Sequence, residues 1–165
     1  MSEAIDDPAT SQDSLSQPPS KAPSTLRHIL APTDFSPNSE KAVNCAILVA
    51  KLLGAKLTLL HVVPEPSALD YAMQGIPFDE IQGWQLEAEE KLTDQLAKAK
   101  LEYQNVDSIQ TIALHPRDEI ARAATDLSAD LLVLSTHGYN GWRHVSFGSD
   151  ADTLEHAPCP VLVIC

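Results

Sequence analysis

Residues 28–37 read HILAPTDFSP and join an apolar run to the start of a helix. The run His28–Pro32 is short and almost wholly apolar, which is typical of a strand covered on both faces. Ser36 and Pro37 follow as an N-cap and a proline at the first helical position. Gly54 ends the helix that they begin. The residues spaced to face the core along this helix are Ala42, Val43, Ala46, Ile47, Ala50 and Leu53.

The same alternation of apolar runs and amphipathic stretches continues along the chain. Strands are predicted at residues 56–63, 106–113, 129–135 and 160–164, and helices at about 83–103, at 116–127 and near 151–156. Residues 64–82 contain three prolines and a glycine, and they are predicted to form a loop over one end of the sheet. Because helical crossovers join parallel strands, the pattern predicts one doubly wound, Rossmann-like α/β domain with helices on both faces. We expect a five-stranded parallel sheet in the order 3-2-1-4-5.

Composition narrows the classes of partner. The formal net charge is −12, which argues against a nucleic-acid surface and against anionic lipid headgroups. Three cysteines without CxxC spacing fit a reducing cytoplasm, and no apolar run reaches the ~18 residues of a membrane span. Residues 1–24 are rich in Ser, Pro, Gln and Asp, and they are predicted to be a disordered tail before a domain at residues 25–165.

The expected strand order locates a ligand site. The order reverses between the first and fourth strands, and ligands of such sheets bind at that reversal, outside the carboxyl ends of the strands. The site therefore lies between residues 32–34 and residues 135–138. Gly138, Gly141 and Gly148 follow the fourth strand, and Gly148 precedes a helix whose N–H groups favour an anion. Taken alone, these glycines are also compatible with a loop that only turns the chain.

Several segments, in this order and spacing, resemble the universal stress protein family from about residue 26 to residue 164. They are ILAPTDFS at residues 29–36, LLHV at 59–62, PRDEI at 116–120, ADLLVLSTHG at 129–138, GS at 148–149 and HAPCPVLVI at 156–164. The nucleotide-binding branch of that family carries Gly-x-x-Gly, nine residues, and then Gly-Ser or Gly-Thr. Here Gly138, Gly148 and Ser149 match that pattern, while Ser135 stands at the first glycine position and brings a hydroxyl.

The resemblance implies ATP, with Mg²⁺ as an optional companion, as the bound group. It implies phosphate contacts from Gly138, Gly148 and Ser149 and an adenosine contact from Asp34 at the end of the first strand. The full set of site residues expected on this basis is Pro32, Thr33, Asp34, Val62, Ser135, His137, Gly138, Gly148 and Ser149. Val62 would line the adenine pocket. Asp34 has the alternative role of capping the following helix, and His61 is read as a core histidine.

Asp150 departs from the family pattern, in which a small or apolar residue is usual after Gly-Ser. A carboxylate suits a helix N-terminus but repels a triphosphate. Three alternatives follow: the side chain points to solvent, it acts through a divalent ion, or it occupies the anion site itself and weakens nucleotide binding.

The last strand is expected at the edge of the sheet, where it could form an interface with a second chain. It is apolar, and an exposed apolar edge invites pairing with another chain. Related stress proteins dimerise through this strand, so a homodimer through Val161, Leu162, Val163 and Ile164 is expected. We weigh three functions: an ATP-binding regulatory protein, a nucleotide-free dimeric scaffold, and a slow ATP hydrolase. Gly138 and Gly148–Ser149 favour the first function over the second, and no base–nucleophile pair is evident to support the third.

Overall fold

Strands and helices alternate along the chain in a computed structural model that describes residues 25–75, 77–135 and 157–165. The elements are β1 (His28–Pro32), α1 (Pro37–Leu53), β2 (Lys56–Pro64), α2 (Ala68–Gln74), α3 (Phe78–Glu102), β3 (Val106–Ala113), α4 (Pro116–Asp126), β4 (Leu131–Ser135) and β5 (Val161–Ile164). The expected tail at residues 1–24 and the expected helix near residues 151–156 lie outside the described residues, so both stay predictions. Within the described ranges, no helix has the length and apolar character needed to cross a membrane.

The five strands form one parallel sheet in the order β3-β2-β1-β4-β5, which confirms the predicted order. Two apolar clusters cover its faces. One packs the sheet against α1 and α3 and includes Ile29, Ala31, Val43, Ala46, Leu57, Leu59, Leu92 and Val133. The other packs it against α4 and includes Leu30, Leu60, Val62, Ile120, Ala124, Leu132 and Leu134. The central strands are therefore buried on both faces, which explains why their sequences are almost continuously apolar.

Both ends of α1 are fixed by the residues that the sequence singled out. The Ser36 hydroxyl accepts the Ser39 N–H, Pro37 opens the first turn, and Gly54 closes the helix in the left-handed conformation with φ 66°. The predicted core face is confirmed for Ala42, Val43, Ala46, Ile47 and Ala50. It is wrong for Leu53, which is 51% exposed. Leu53 is the last residue of α1.

The predicted loop at residues 64–82 is wrong in most of its length. Residues 68–74 form α2, and α3 begins at Phe78, five residues before the expected start at Gly83. Gly75 ends α2 with φ 62°, and Pro77 stands immediately before the first turn of α3. Proline and glycine here mark the boundaries of two helices, because both residues are tolerated at helix ends. Burial of Ile81 anchors the added turn of α3.

The amino-terminal end of the sheet is held by contacts distant in sequence. The Asp130 carboxylate accepts the backbone N–H groups of Arg27 and His28 at 2.8 and 3.0 Å. The His28 ring lies between α4 and β2, with Nδ1 donating to the Leu127 carbonyl at 2.9 Å and Nε2 2.8 Å from the Thr58 hydroxyl. These bonds fix the amino-terminal end of β1. The candidate site lies at the opposite, carboxyl-terminal end.

Two glycines provide an opposed pair of stability tests. A Cβ at Gly54 or at Gly83 would meet no heavy atom of the described residues within 4 Å, so the backbone conformation decides the outcome. Gly54→Ala places alanine at positive φ and should destabilise the fold by ~1–2 kcal/mol. Gly83→Ala lies within α3 and should stabilise it by ~0.5–1 kcal/mol. Urea unfolding of both variants measures the two signs, and equal shifts of the same sign would contradict this assignment.

Candidate functional site

The pairing of β1 with β4 stops short of the carboxyl ends of the two strands, at the point where the strand order reverses. The β1–β2 register extends to the pair Pro32–Leu60, and the β4–β5 register extends to Ser135–Ile164. In contrast, β1 and β4 pair only at Ile29–Leu131 and Leu30–Leu132, although both strands continue beyond those residues. Pro32 has no N–H to offer a neighbouring strand. We call the opening between residues 31–33 and residues 133–135 the β1/β4 crevice.

The chain leaves β1 through a tight turn that is closed by its own polar groups. The Thr33 N–H donates to the Leu60 carbonyl at 2.8 Å and so continues the ladder with β2. The Thr33 hydroxyl, which is buried, accepts the Phe35 N–H at 3.2 Å and lies 3.3 Å from the Ser39 hydroxyl. With these groups satisfied inside the protein, Thr33 shapes the turn, and its side chain has little left to offer a ligand.

Asp34 divides its two carboxylate oxygens between two environments. Oδ1 accepts the Ser36 N–H at 3.0 Å, which is the capping role that the sequence suggested. Oδ2 is buried and has no hydrogen-bond partner among the residues that the structure describes. A buried carboxylate oxygen without a donor costs free energy, and buried polar groups in native proteins are nearly always paired. Asp34 Oδ2 is therefore an acceptor in need of a donor.

His61 lies beneath this turn, on β2. Its Nδ1 is 2.8 Å from the Thr33 carbonyl, and because a carbonyl only accepts, Nδ1 carries the proton. The imidazole also stacks on the Phe35 ring, with centroids 4.3 Å apart and planes at 30°. Phe35 itself has φ 63°, in the left-handed region that bulky residues rarely adopt. The core-histidine interpretation of His61 is confirmed, and its contacts reach the candidate site.

The electrostatic surroundings of His61 favour its neutral form. Burial is the largest cause and lowers the pKa of the imidazole below its ordinary value of 6.5. The Thr33 carbonyl and the Asp34 carboxylate act in the opposite direction, while the Lys91 ammonium lowers the pKa further. Lys91 reaches over the Phe35 ring from α3, 6.0 Å from its centroid, and pairs with Glu87 at 2.7 Å. A neutral ring with its proton on Nδ1 is the resulting state.

The remaining predicted site residues are placed as follows. Ser135 is the last residue of β4 and is half-buried beside the β1/β4 crevice. Val62 is fully buried in β2, in the cluster that packs against α4. His137, Gly138, Gly148 and Ser149 lie outside the described residues, as does Asp150. In the described part of the chain, no group of three or more His, Cys, Asp or Glu residues is arranged to hold a metal ion.

Sequence reasoning missed the stack of Phe35 on His61. In the sequence, Phe35 was noted only as part of the motif at residues 29–36. A phenylalanine does not indicate a positive φ, so its conformation could not be predicted. The alternation along β2 places His61 on the same face as Leu59, toward α1 and α3. That alternation was the one available clue to the partner of His61.

Comparison with known proteins agrees with this geometry. A sequence model described as the Universal stress protein family matches residues 25–164. Universal stress protein A homolog 1 of Coxiella burnetii is 32% identical over 142 residues, covering 84% of this chain and 95% of that protein. The structure of universal stress protein UspA from Lactobacillus plantarum has a TM-score of 0.73 at 25% identity, covering 87% of this chain and 100% of that chain. A crystal structure of a universal stress protein in complex with cAMP has a TM-score of 0.64 at 21% identity, covering 86% and 99%.

The lowered pKa of His61 makes stability depend on pH. The unfolded chain binds a proton near pH 6.5, whereas the folded chain resists it, so the free energy of unfolding falls as the pH drops below 6.5. His61→Asn removes this titration. The variant should lose less stability than the wild type between pH 7 and pH 5, by at most ~1.4 kcal/mol per pH unit. Urea unfolding at several pH values measures the difference, and parallel curves would refute it.

Proposed function

Because the chain belongs to the universal stress protein family, we propose that it binds ATP in the β1/β4 crevice and acts as a regulatory protein in the stress response. The observation that carries the proposal is the buried, unpartnered Oδ2 of Asp34 at the strand 1/strand 4 reversal. Such reversals are where open α/β sheets bind their ligands. The cAMP complex of a protein with the same fold supports the adenine nucleotide class.

Adenosine supplies what Asp34 lacks. The carboxylate only accepts hydrogen bonds, and adenosine presents ribose hydroxyls and an exocyclic amine as donors. The rigid turn at residues 33–36 holds Oδ1 to the Ser36 N–H, which leaves Oδ2 for the ligand. Asp34 therefore suits the nucleoside end of ATP, because a carboxylate beside the phosphates would repel them. Pro32 and Thr33 border the same end, and Val62 is proposed to line the adenine pocket.

The phosphates are assigned to the residues that follow β4. Gly138, Gly148 and Ser149 match the phosphate-binding pattern of the family, and Ser135 and His137 lie in the same stretch. Backbone N–H groups bind phosphate without cationic side chains, so a net charge of −12 does not oppose the proposal. Mg²⁺, if recruited, would be held by Asp150 and would offset the repulsion between that carboxylate and a triphosphate.

Asp34→Asn tests the nucleotide site at one atom. Asparagine keeps an Oδ1 for the Ser36 N–H and replaces the Oδ2 acceptor by an N–H₂ donor. We expect the wild type to bind MgATP and the variant to bind it ~10–100-fold more weakly, as for the loss of a hydrogen bond to a charged group. Isothermal titration calorimetry measures both affinities.

Asp94→Asn is the matched control, because it removes the same charge from an exposed pair with Lys98 on α3. It should leave the affinity for ATP unchanged. Equal affinities for the wild type and Asp34→Asn would remove Asp34 from the site. A wild type that binds neither ATP nor cAMP at millimolar concentration would overturn the proposed function and favour a nucleotide-free scaffold.

We also propose a homodimer through β5, which is common to the regulatory and the scaffold hypotheses. The last strand of the sheet is β5, and its Leu162 is an apolar side chain that is 36% exposed. Pairing with a second β5 would cover this edge and its apolar residues, Val161, Leu162, Val163 and Ile164. A two-fold contact of this kind is the commonest symmetry among soluble oligomers.

Leu162→Glu tests the dimer. A carboxylate at the paired edge would meet its copy across the two-fold axis, so the variant should be monomeric at micromolar concentration while the wild type is dimeric. Leu101→Glu is the control, because Leu101 is 87% exposed on α3 and lies outside the sheet edge. Light scattering coupled to size-exclusion chromatography gives the masses. A monomeric wild type, or a dimeric Leu162→Glu, would contradict the proposed interface.

A further inference from the structure

The turn after β1 is held in an unfavourable backbone conformation. Phe35 has φ 63°, and a bulky residue persists there only when its surroundings determine it. The Thr33 hydroxyl accepts the Phe35 N–H, the His61 ring stacks on the Phe35 ring, and Lys91 reaches over that ring from α3. The residue in this conformation lies directly between Asp34 and the N-cap Ser36.

His61 contacts the turn at two residues, one on each side of Asp34. Its Nδ1–H donates to the Thr33 carbonyl at 2.8 Å, and its ring lies 4.3 Å from the Phe35 ring. The histidine belongs to β2, the neighbour of β1 in the sheet, so it ties the turn to a rigid element. With residues 33 and 35 both fixed, the direction of the Asp34 side chain is fixed between them.

We infer that His61 is a positioning residue, which holds the Thr33–Phe35 turn so that Asp34 Oδ2 faces the nucleoside in the β1/β4 crevice. This inference rests on the proposed function and deepens it. His61 acts through its contacts with Thr33 and Phe35. Lowering of the His61 pKa by burial is consistent with a neutral ring whose single proton is committed to the Thr33 carbonyl.

Plain core packing is the competing role for His61, and two variants separate the roles. In His61→Asn, the amide N–H₂ occupies the place of Nδ1 and still donates to the Thr33 carbonyl, while much of the ring volume is lost. In His61→Leu, an apolar side chain fills more of that volume and donates nothing. A packing role ranks leucine above asparagine, whereas a positioning role ranks asparagine above leucine.

His28→Leu is a matched control for the loss of an imidazole bond. His28 also donates Nδ1–H to a backbone carbonyl, that of Leu127, but at the amino-terminal end of the same sheet. Its replacement should lower the melting temperature and leave the affinity for ATP unchanged. The control thereby separates a general loss of stability from a loss of positioning.

The experiment measures MgATP affinity by calorimetry, and melting temperature, for the wild type and all three variants. We expect about a tenfold weaker affinity for His61→Leu and an affinity within about threefold of wild type for His61→Asn. Nitrogen-15 NMR of the nucleotide-free wild type should show His61 as the Nδ1–H tautomer. This readout keeps the inference testable if His61→Leu does not fold.

The other possible results of this experiment contradict either the inference or the proposed function. A wild-type affinity in His61→Leu, equal losses in both His61 variants, or a proton on Nε2 would overturn the inference while the proposed nucleotide site stands. A wild type that does not bind ATP would overturn the proposed function, and the positioning role would fall with it. A loss in His28→Leu as large as that in His61→Leu would also overturn the inference, because the effect would then be one of stability.

Discussion

Burial of β1 on both faces and both edges is the constraint on which the rest of the structure depends. The strand lies between β2 and β4, with α1 and α3 over one face and α4 over the other. Every backbone group in it must therefore find a partner in a neighbouring strand or in the turn that follows. Where the pairing with β4 stops, at Leu30–Leu132, the β1/β4 crevice begins. The candidate site therefore lies where the backbone groups of β1 are no longer hydrogen-bonded to β4.

The residues that follow β1 differ in how completely their polar groups are hydrogen-bonded. Thr33 satisfies its N–H, its carbonyl and its hydroxyl within the protein, through Leu60, His61 and Phe35. Asp34 satisfies one oxygen and leaves the other buried without a donor. The hydrogen bonds of Thr33 and Asp34 stiffen the turn, so Asp34 Oδ2, which has no partner among the described residues, is held in a constant direction. Pre-organisation of this kind reduces the ordering cost of binding.

Much of the fold could be predicted from local sequence signals. Ser36, Pro37 and Gly54 act through nearby backbone groups, so their meaning can be read from a few letters. The strand order followed from parallel crossovers and the position of the apolar runs. In contrast, the boundaries around α2 were missed, because Gly75 and Pro77 signal the ends of helices as readily as the middle of a loop. Leu53 was misplaced because periodicity assigns a residue to a face of a helix but does not show whether that face is still covered in the last turn.

The position of the candidate site could be predicted from the sequence, but the contacts that orient its residues could not. The reversal between β1 and β4 and the choice of Asp34 both follow from topology and motif. The bond from the Ser36 N–H to Asp34 Oδ1 is local. The stack of Phe35 on His61 and the hydrogen bond from His61 to the Thr33 carbonyl, in contrast, depend on contacts between residues 26 and 28 positions apart in sequence and on different elements. Such contacts exist only after β2 has packed beside β1, and no local pattern encodes them.

The clamp at the other end of the sheet has a consequence for folding during synthesis. Asp130 reaches back across 103 residues to the N–H of Arg27, and β4 supplies the second neighbour of β1. A nascent chain can pair β2 with both β1 and β3 early, but the remaining edge of β1 stays bare until about residue 135 has left the ribosome. Contacts so distant in sequence form slowly, and bare apolar edges aggregate. The first strand is therefore left without its second neighbour until β4 has been synthesised, and a chain truncated before β4 would expose an apolar edge.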